Sequence, residues 1–249
     1  MLRNSLSKLF VKPEGFKWWM GLAIPAWVFV GFIVAQVIVG LLLALLDRLQ
    51  IPLKNIDEPT IQTIGSLVIY ALALFIVIGV PWLVKKYKTS KSEVGLDHHL
   101  TWTDLLLAPA AFVIYILLSF LLTSIFQHFP FYDTNQVQDT GFSQLSHGYE
   151  YFLAFFTLVI VAPLAEETLF RGYLLAKLRK YLPIWAAVLI TSLLFAIVHF
   201  SWPVGVDVFA LSIVLCILRI RTGRLAPSIV LHMIKNGIAF YFLFINPLL

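Results

Sequence analysis

The sequence has one cysteine in 249 residues, and only 12% of its residues are Asp, Glu, Lys or Arg. A lone Cys216 excludes an intrachain disulfide framework and a thiolate metal cluster. Soluble domains carry about a quarter charged residues, so charge this sparse excludes an ordinary water-soluble fold. The H-E-x-x-H zinc helix, the G-x-S-x-G nucleophile elbow and the G-x-x-x-x-G-K-[ST] phosphate loop are also missing. Neither an internal repeat nor a low-complexity tract stands out.

What is present in their place is apolar mass: 60% of the residues are hydrophobic. Uncharged runs cover residues 18 to 46, 59 to 84, 105 to 132 and 181 to 206. Each reaches the roughly 20 residues that a helix needs to cross hydrocarbon. A transmembrane β-barrel would give short alternating segments instead. Backbone groups in lipid must bond within their own segment, so the runs predict helices. The expectation is an all-α, polytopic helical membrane bundle of about seven transmembrane helices, at 18–46, 61–84, 104–126, 151–178, 183–200, 205–219 and 226–245. The first has no small-residue cleavage signal at its end and reads as a retained helix.

The net charge of +5 follows the loops. Basic residues gather in the tail (Arg3, Lys8, Lys12, Lys17), the second loop (Lys85, Lys86, Lys88, Lys91), after the fourth segment (Arg171, Lys177, Arg179, Lys180) and in the sixth connection (Arg219, Arg221, Arg224). The alternate loops hold only Arg48 and Lys54. The positive-inside rule therefore predicts a cytoplasmic N-terminus and a C-terminus on the far side, and the charge needs no nucleic-acid partner. The polar stretch from Gln127 to Glu150 has no basic residue and is expected outside the cytoplasm.

Ionisable groups at membrane depth are costly and tend to line a bundle interior. In A-P-L-A-E-E-T-L-F-R, residues 162 to 171, Glu167 and Arg171 are spaced to pair one turn apart, while Glu166 points about 100° away. Repulsion between the carboxylates, with burial, favours a proton on one of them, the basicity needed to activate water. Pro163 is placed to kink the helix just before them. Phe195 and His199 share a helical face, as do His232 and Asn236. The alternatives are an interfacial ion pair, an interfacial histidine and an asparagine that only glues helices. Together the groups suit water activation and oxyanion stabilisation, or a zinc site of Glu and His ligands with an open position for water. Asp207 reads as structural, and His98 and His99, beside Asp97, as a solvated loop with a minor metal site as the alternative.

At these residues the sequence resembles the CAAX-protease and bacteriocin-processing membrane proteins, the CPBP or Abi family, which includes type II CAAX prenyl endopeptidases and lysostaphin-resistance-like proteins. The pattern E-E-x-x-x-R, F-x-x-x-H, H-x-x-x-N is carried by Glu166 to Arg171, Phe195 to His199 and His232 to Asn236, with further likeness in Gly172 and in Arg221 to Pro227. The resemblance covers roughly residues 150–249 as a catalytic core. Residues 1–149 form a tail and three generic helices. It implies an intramembrane endopeptidase in a prokaryotic cell membrane, acting on a peptide or protein substrate of the prenylated CAAX or bacteriocin type. In that reading Glu166 is the general base, His199 and His232 position water and substrate, Asn236 stabilises the oxyanion, and Glu167 and Arg171 support. The family is described as metalloprotease, which would make Glu166, His199 and His232 zinc ligands; a metal-free glutamate mechanism is the alternative. A membrane immunity or scaffold protein that keeps the fold without activity is the competing reading. One conflict stands: a helix starting near Pro183 puts His199 about 24 Å farther on, toward the opposite face from a cytoplasmic site.

Overall fold

The computed structural model describes residues 9–51, 56–84, 88–133, 136, 140–142 and 145–246. Among them the order is α1 (Met20–Arg48), α2 (Glu58–Leu83), α3 (Lys91–Val94), α4 (Trp102–Phe126), α5 (Gly148–Leu178), α6 (Ile184–Ile197), α7 (Trp202–Thr222) and α8 (Ala226–Ile245). The seven expected helices are all present, each end within three residues of its expected position, and the described residues contain no strand. Six of the helices are long and apolar enough to cross a membrane. The seventh, α6, has 14 residues, about 21 Å, which falls short of the roughly 30 Å hydrocarbon core. Arg3, Lys8, Lys54, Lys85 and Lys86 of the charge count lie outside the described residues.

Local chemistry sets the boundaries. Asp57 caps α2 by accepting from the Thr60 amide at 2.9 Å, with Pro59 in the first turn where no amide donor is needed. Thr101 and Asp104 form a reciprocal capping box on α4. Gly223, in the left-handed region, ends α7.

The chain divides into two compact units, each discontinuous in sequence. One comprises Met1–Phe29, Thr89–Gln138 and Glu167–His232; the other comprises Val30–Lys88, Asp139–Glu166 and Met233–Leu249. In the first, α6 and α7 pack as an adjacent pair, and their small residues Ala187, Thr191, Ser192, Ala210 and Ser212 are all fully buried. In hydrocarbon, small residues let helix backbones approach closely, which favours association because lipid is as apolar as leucine. At the other unit's core, Phe142, Ala154, Val159 and Phe240 cluster, and Phe155 meets Phe240 edge-on at 5.4 Å.

The first unit also gathers the basic ends of its helices around α3. Glu93 binds Lys177 at 2.7 Å and Lys180 at 2.8 Å, and its carbonyl accepts from Arg219 at 2.8 Å. Burial alone would raise the Glu93 pKa, but the hydrogen bonds and charges of the two lysines outweigh it and hold the carboxyl below its ordinary value. Arg224 pairs with Asp104 at 2.7 Å. Three segments that the charge pattern assigns to one side of the membrane therefore meet at one end of this unit. Arg171 does not belong with them: it is fully buried within the span of α5 and is not a loop charge.

Candidate active site

The two glutamates lie in a six-residue α-helical segment, Ala162–Glu167, between π-helical stretches Phe156–Val161 and Thr168–Leu174. Pro163 lacks the amide that would bond one turn back, and the wider i to i+5 pattern just before it accommodates that loss, with the Ala162 amide bonding to Thr157. Pi-helical turns recur at functional sites, and here two of them flank the acidic pair.

Glu167 and Arg171 are both fully buried. Arg171 Nη1 donates to Glu167 Oε1 at 2.8 Å, and His232 Nδ1 lies 2.9 Å from the same oxygen. A carboxylate can only accept, so His232 carries its proton on Nδ1 and its Nε2 points away from the pair. Glu167 Oε2 and Arg171 Nε and Nη2 are buried with no hydrogen-bond partner among the described residues. Part of the compensation for Arg171 is aromatic, since its Cζ stands 4.2 Å over the Phe195 ring.

Phe195 explains the spacing of the second motif. Fully buried, it places its ring centre 5.0 Å from that of His199 and 5.8 Å from that of His232, both edge-on. His199 is not helical. The helix stops at Ile197, the His199 amide bonds to the Ala196 carbonyl, and Phe200 takes a left-handed φ of 52°. His199 Nδ1 donates to the Phe195 carbonyl at 2.7 Å, because a carbonyl can only accept. The depth conflict is resolved on these contacts. Glu167 sits about 16 Å before the end of α5, deep in its span, and the short α6 brings His199 to the ring that also touches Arg171 and His232.

The remaining candidates belong to the second unit. Glu166 Oε1 accepts from the Tyr70 hydroxyl at 2.6 Å. Asn236 Nδ2 donates to the Leu158 carbonyl at 2.8 Å, inside the first π stretch. That bond commits one of its two amide hydrogens to holding α8 on α5 and leaves the second available as a donor.

Comparison with known proteins gives a consistent picture. Residues 148–238 match the family of type II CAAX prenyl endopeptidase Rce1-like proteins. Over that region the chain is similar to CAAX-protease-like membrane proteins. A "Membrane-embedded CAAX protease MroQ" of Staphylococcus aureus is 29% identical over 98 residues, 37% of this chain and 40% of that protein. An uncharacterised 24.3 kDa protein of Escherichia coli is 40% identical over 86 residues, 32% of this chain and 40% of that protein. The aligned stretches thus span well under half the length of either relative. No solved structure matches. The matched region holds all three motifs, and α1 to α4 lie outside it.

Asp207 accepts from Tyr115 at 2.7 Å and from Ser119 at 2.5 Å, which ties α7 to α4 within the first unit. His98 meets Asp97 at 3.8 Å in an exposed loop. Cys216 is buried and reduced. Among the described residues no three His, Cys, Asp or Glu side chains are grouped to hold a metal ion. Glu166, His199 and His232 are the residues that would hold a metal ion if the hydrolysis used one. Two contacts were not foreseen from the sequence. Tyr70 lies in an apolar run whose composition marks it only as lipid-phase. Gly172 follows the motif arginine because a Cβ there would collide with Val94 of α3, a contact 78 residues distant in sequence.

Proposed function

We propose that the protein is an intramembrane endopeptidase that hydrolyses a peptide bond with water activated by Glu166. The buried Glu167, shared by Arg171 and His232 through one oxygen, is the observation that carries this reading. Fully buried ion pairs at membrane depth are expensive and contribute little net stability, so such a group is best explained by the chemistry it supports. The match over residues 148–238 adds support for a hydrolase.

Glu166 takes a proton from water as the water oxygen forms a bond to the scissile carbonyl carbon, and the carbonyl electron pair moves to oxygen. His199 Nε2 holds the water. The second amide hydrogen of Asn236 donates to the developing oxyanion, and His232, fixed by its Nδ1 bond to Glu167, positions the substrate. Collapse of the tetrahedral intermediate breaks the C–N bond, and the proton on Glu166 passes to the leaving amine. Access is from the cytoplasmic side, by the charge pattern of the loops. The substrate class is a peptide or protein, with a prenylated C-terminal tail as the first candidate.

The test uses purified protein in lipid nanodiscs with two quenched fluorescent peptides, one ending in a farnesylated CAAX tail and one unprenylated. Wild type is expected to cleave at least one. Glu166→Gln and His199→Ala are expected to lose at least about a hundredfold in kcat/KM while keeping their melting temperature. Unchanged turnover in Glu166→Gln rejects the assigned base. No cleavage by wild type, with a cellular phenotype that survives both substitutions, favours a non-enzymatic immunity or scaffold role.

A further inference from the structure

We propose that Tyr70 is a positioning residue for the hydrolysis, holding the Glu166 carboxylate in the orientation from which it takes the proton of water. The inference rests on the endopeptidase reading and extends the site to α2, outside the region that matches the CAAX endopeptidase family.

The Tyr70 hydroxyl is 2.6 Å from Glu166 Oε1, with 96 residues between them. That is the length of a charge-assisted O–H to carboxylate bond, about twice as strong as a neutral one. An ionised carboxylate accepts only, so Tyr70 is the donor. Its ring is braced by Phe32 of α1, with ring centres 6.5 Å apart. One turn farther along α2, the helix widens into the π stretch Phe75–Gly79.

The carboxyl group of a glutamate turns easily about its last torsion, which is broad and roughly two-fold. A base that turns freely spends much of its time aimed away from the proton it must take, and misorientation of this kind costs rate. A donor on Oε1 fixes the carboxylate plane and thereby the direction of Oε2.

The experiment measures kcat and KM separately on the peptide that wild type cleaves, for Tyr70→Phe, Glu166→Asp and the double variant, with melting temperature recorded on each. Tyr70→Phe keeps the ring and its contact with Phe32. It is expected to lower kcat by roughly tenfold to a hundredfold with KM unchanged, the cost of one hydrogen bond to a charged group. Asp is one methylene shorter than Glu and cannot keep the 2.6 Å contact, so Tyr70→Phe is expected to have no further effect in that background. Multiplicative effects, or wild-type kcat in Tyr70→Phe, overturn the inference while Glu166→Gln stays inactive and the endopeptidase reading stands. Should Tyr70→Phe fail to fold, fluorotyrosine at position 70 preserves size and strengthens the donor, and kcat is expected to change severalfold; an unchanged kcat overturns the inference. A wild type that cleaves neither peptide removes the reading and this inference together.

Discussion

Arg171 Nη1 and Glu167 Oε1 stand 2.8 Å apart, one turn apart on a single helix, with both side chains entirely shielded from the surface. Removing one partner leaves the other as an uncompensated buried charge, which costs about 3–5 kcal/mol. Glu167→Ala and Arg171→Ala are each expected to destabilise by about this amount in thermal unfolding. The double variant Glu167→Leu with Arg171→Met should be more stable than either single change, because it removes both charges and keeps the volume. A double variant as unstable as the sum of the single losses would show that the two residues act independently.

Gly172→Ala introduces a Cβ into the space of Val94 Cγ1. Overpacking of this kind costs about 1–3 kcal/mol. Val94→Ala in the same chain should restore most of the loss, since it removes the methyl that collides. Melting temperatures of the two single variants and the pair measure the coupling, and a Gly172→Ala protein that melts like wild type would show that α3 yields freely.

Glu93 gives a pH dependence whose sign is fixed. Its folded-state pKa is depressed, so the stability it adds is fully present above the ordinary carboxylate value, about 4.3. That contribution is lost as pH falls through the folded value. Acid unfolding of wild type is therefore expected to steepen below about pH 4, and Glu93→Gln should flatten that limb while leaving the curve above pH 6 parallel to wild type. Identical acid limbs in the two proteins would contradict the two lysine contacts at 2.7 and 2.8 Å.

Asn236→Leu removes the donor to the Leu158 carbonyl. An unpaired carbonyl in the membrane interior is expected to cost about 1–3 kcal/mol. The catalytic loss in this variant should exceed what the folded fraction explains, because the second amide hydrogen is lost as well. Turnover per folded molecule, with the folded fraction read from thermal melts, separates the two effects, and turnover equal to wild type would confine Asn236 to holding helices together.

The helices were legible in the sequence for a direct reason. Hydrocarbon penalises every unpaired backbone group and every charge, so apolar runs of sufficient length can only be helices, and their ends are marked by Asp57, Thr101, Pro183 and Gly223. The Glu167–Arg171 pair was legible too, because one turn of helix fixes the distance between residues four apart. Periodicity also placed His199 on a helical face, but whether a helix continues or turns depends on what its end packs against. The chain turns there, and Phe195 holds His199 through its backbone carbonyl.

By itself the sequence determined the all-α membrane bundle and the acids, histidines and amide available for chemistry. Tertiary structure alone decided that Tyr70 reaches Glu166 and that His232 reaches Glu167. Spacing along a helix sets only local neighbours, whereas Tyr70 on Glu166, His232 on Glu167 and Val94 against Gly172 join segments 65 to 96 residues apart. No local rule of helix geometry reaches that far; those contacts exist because packing in lipid brings small residues and hydrogen-bonding groups of distant helices together.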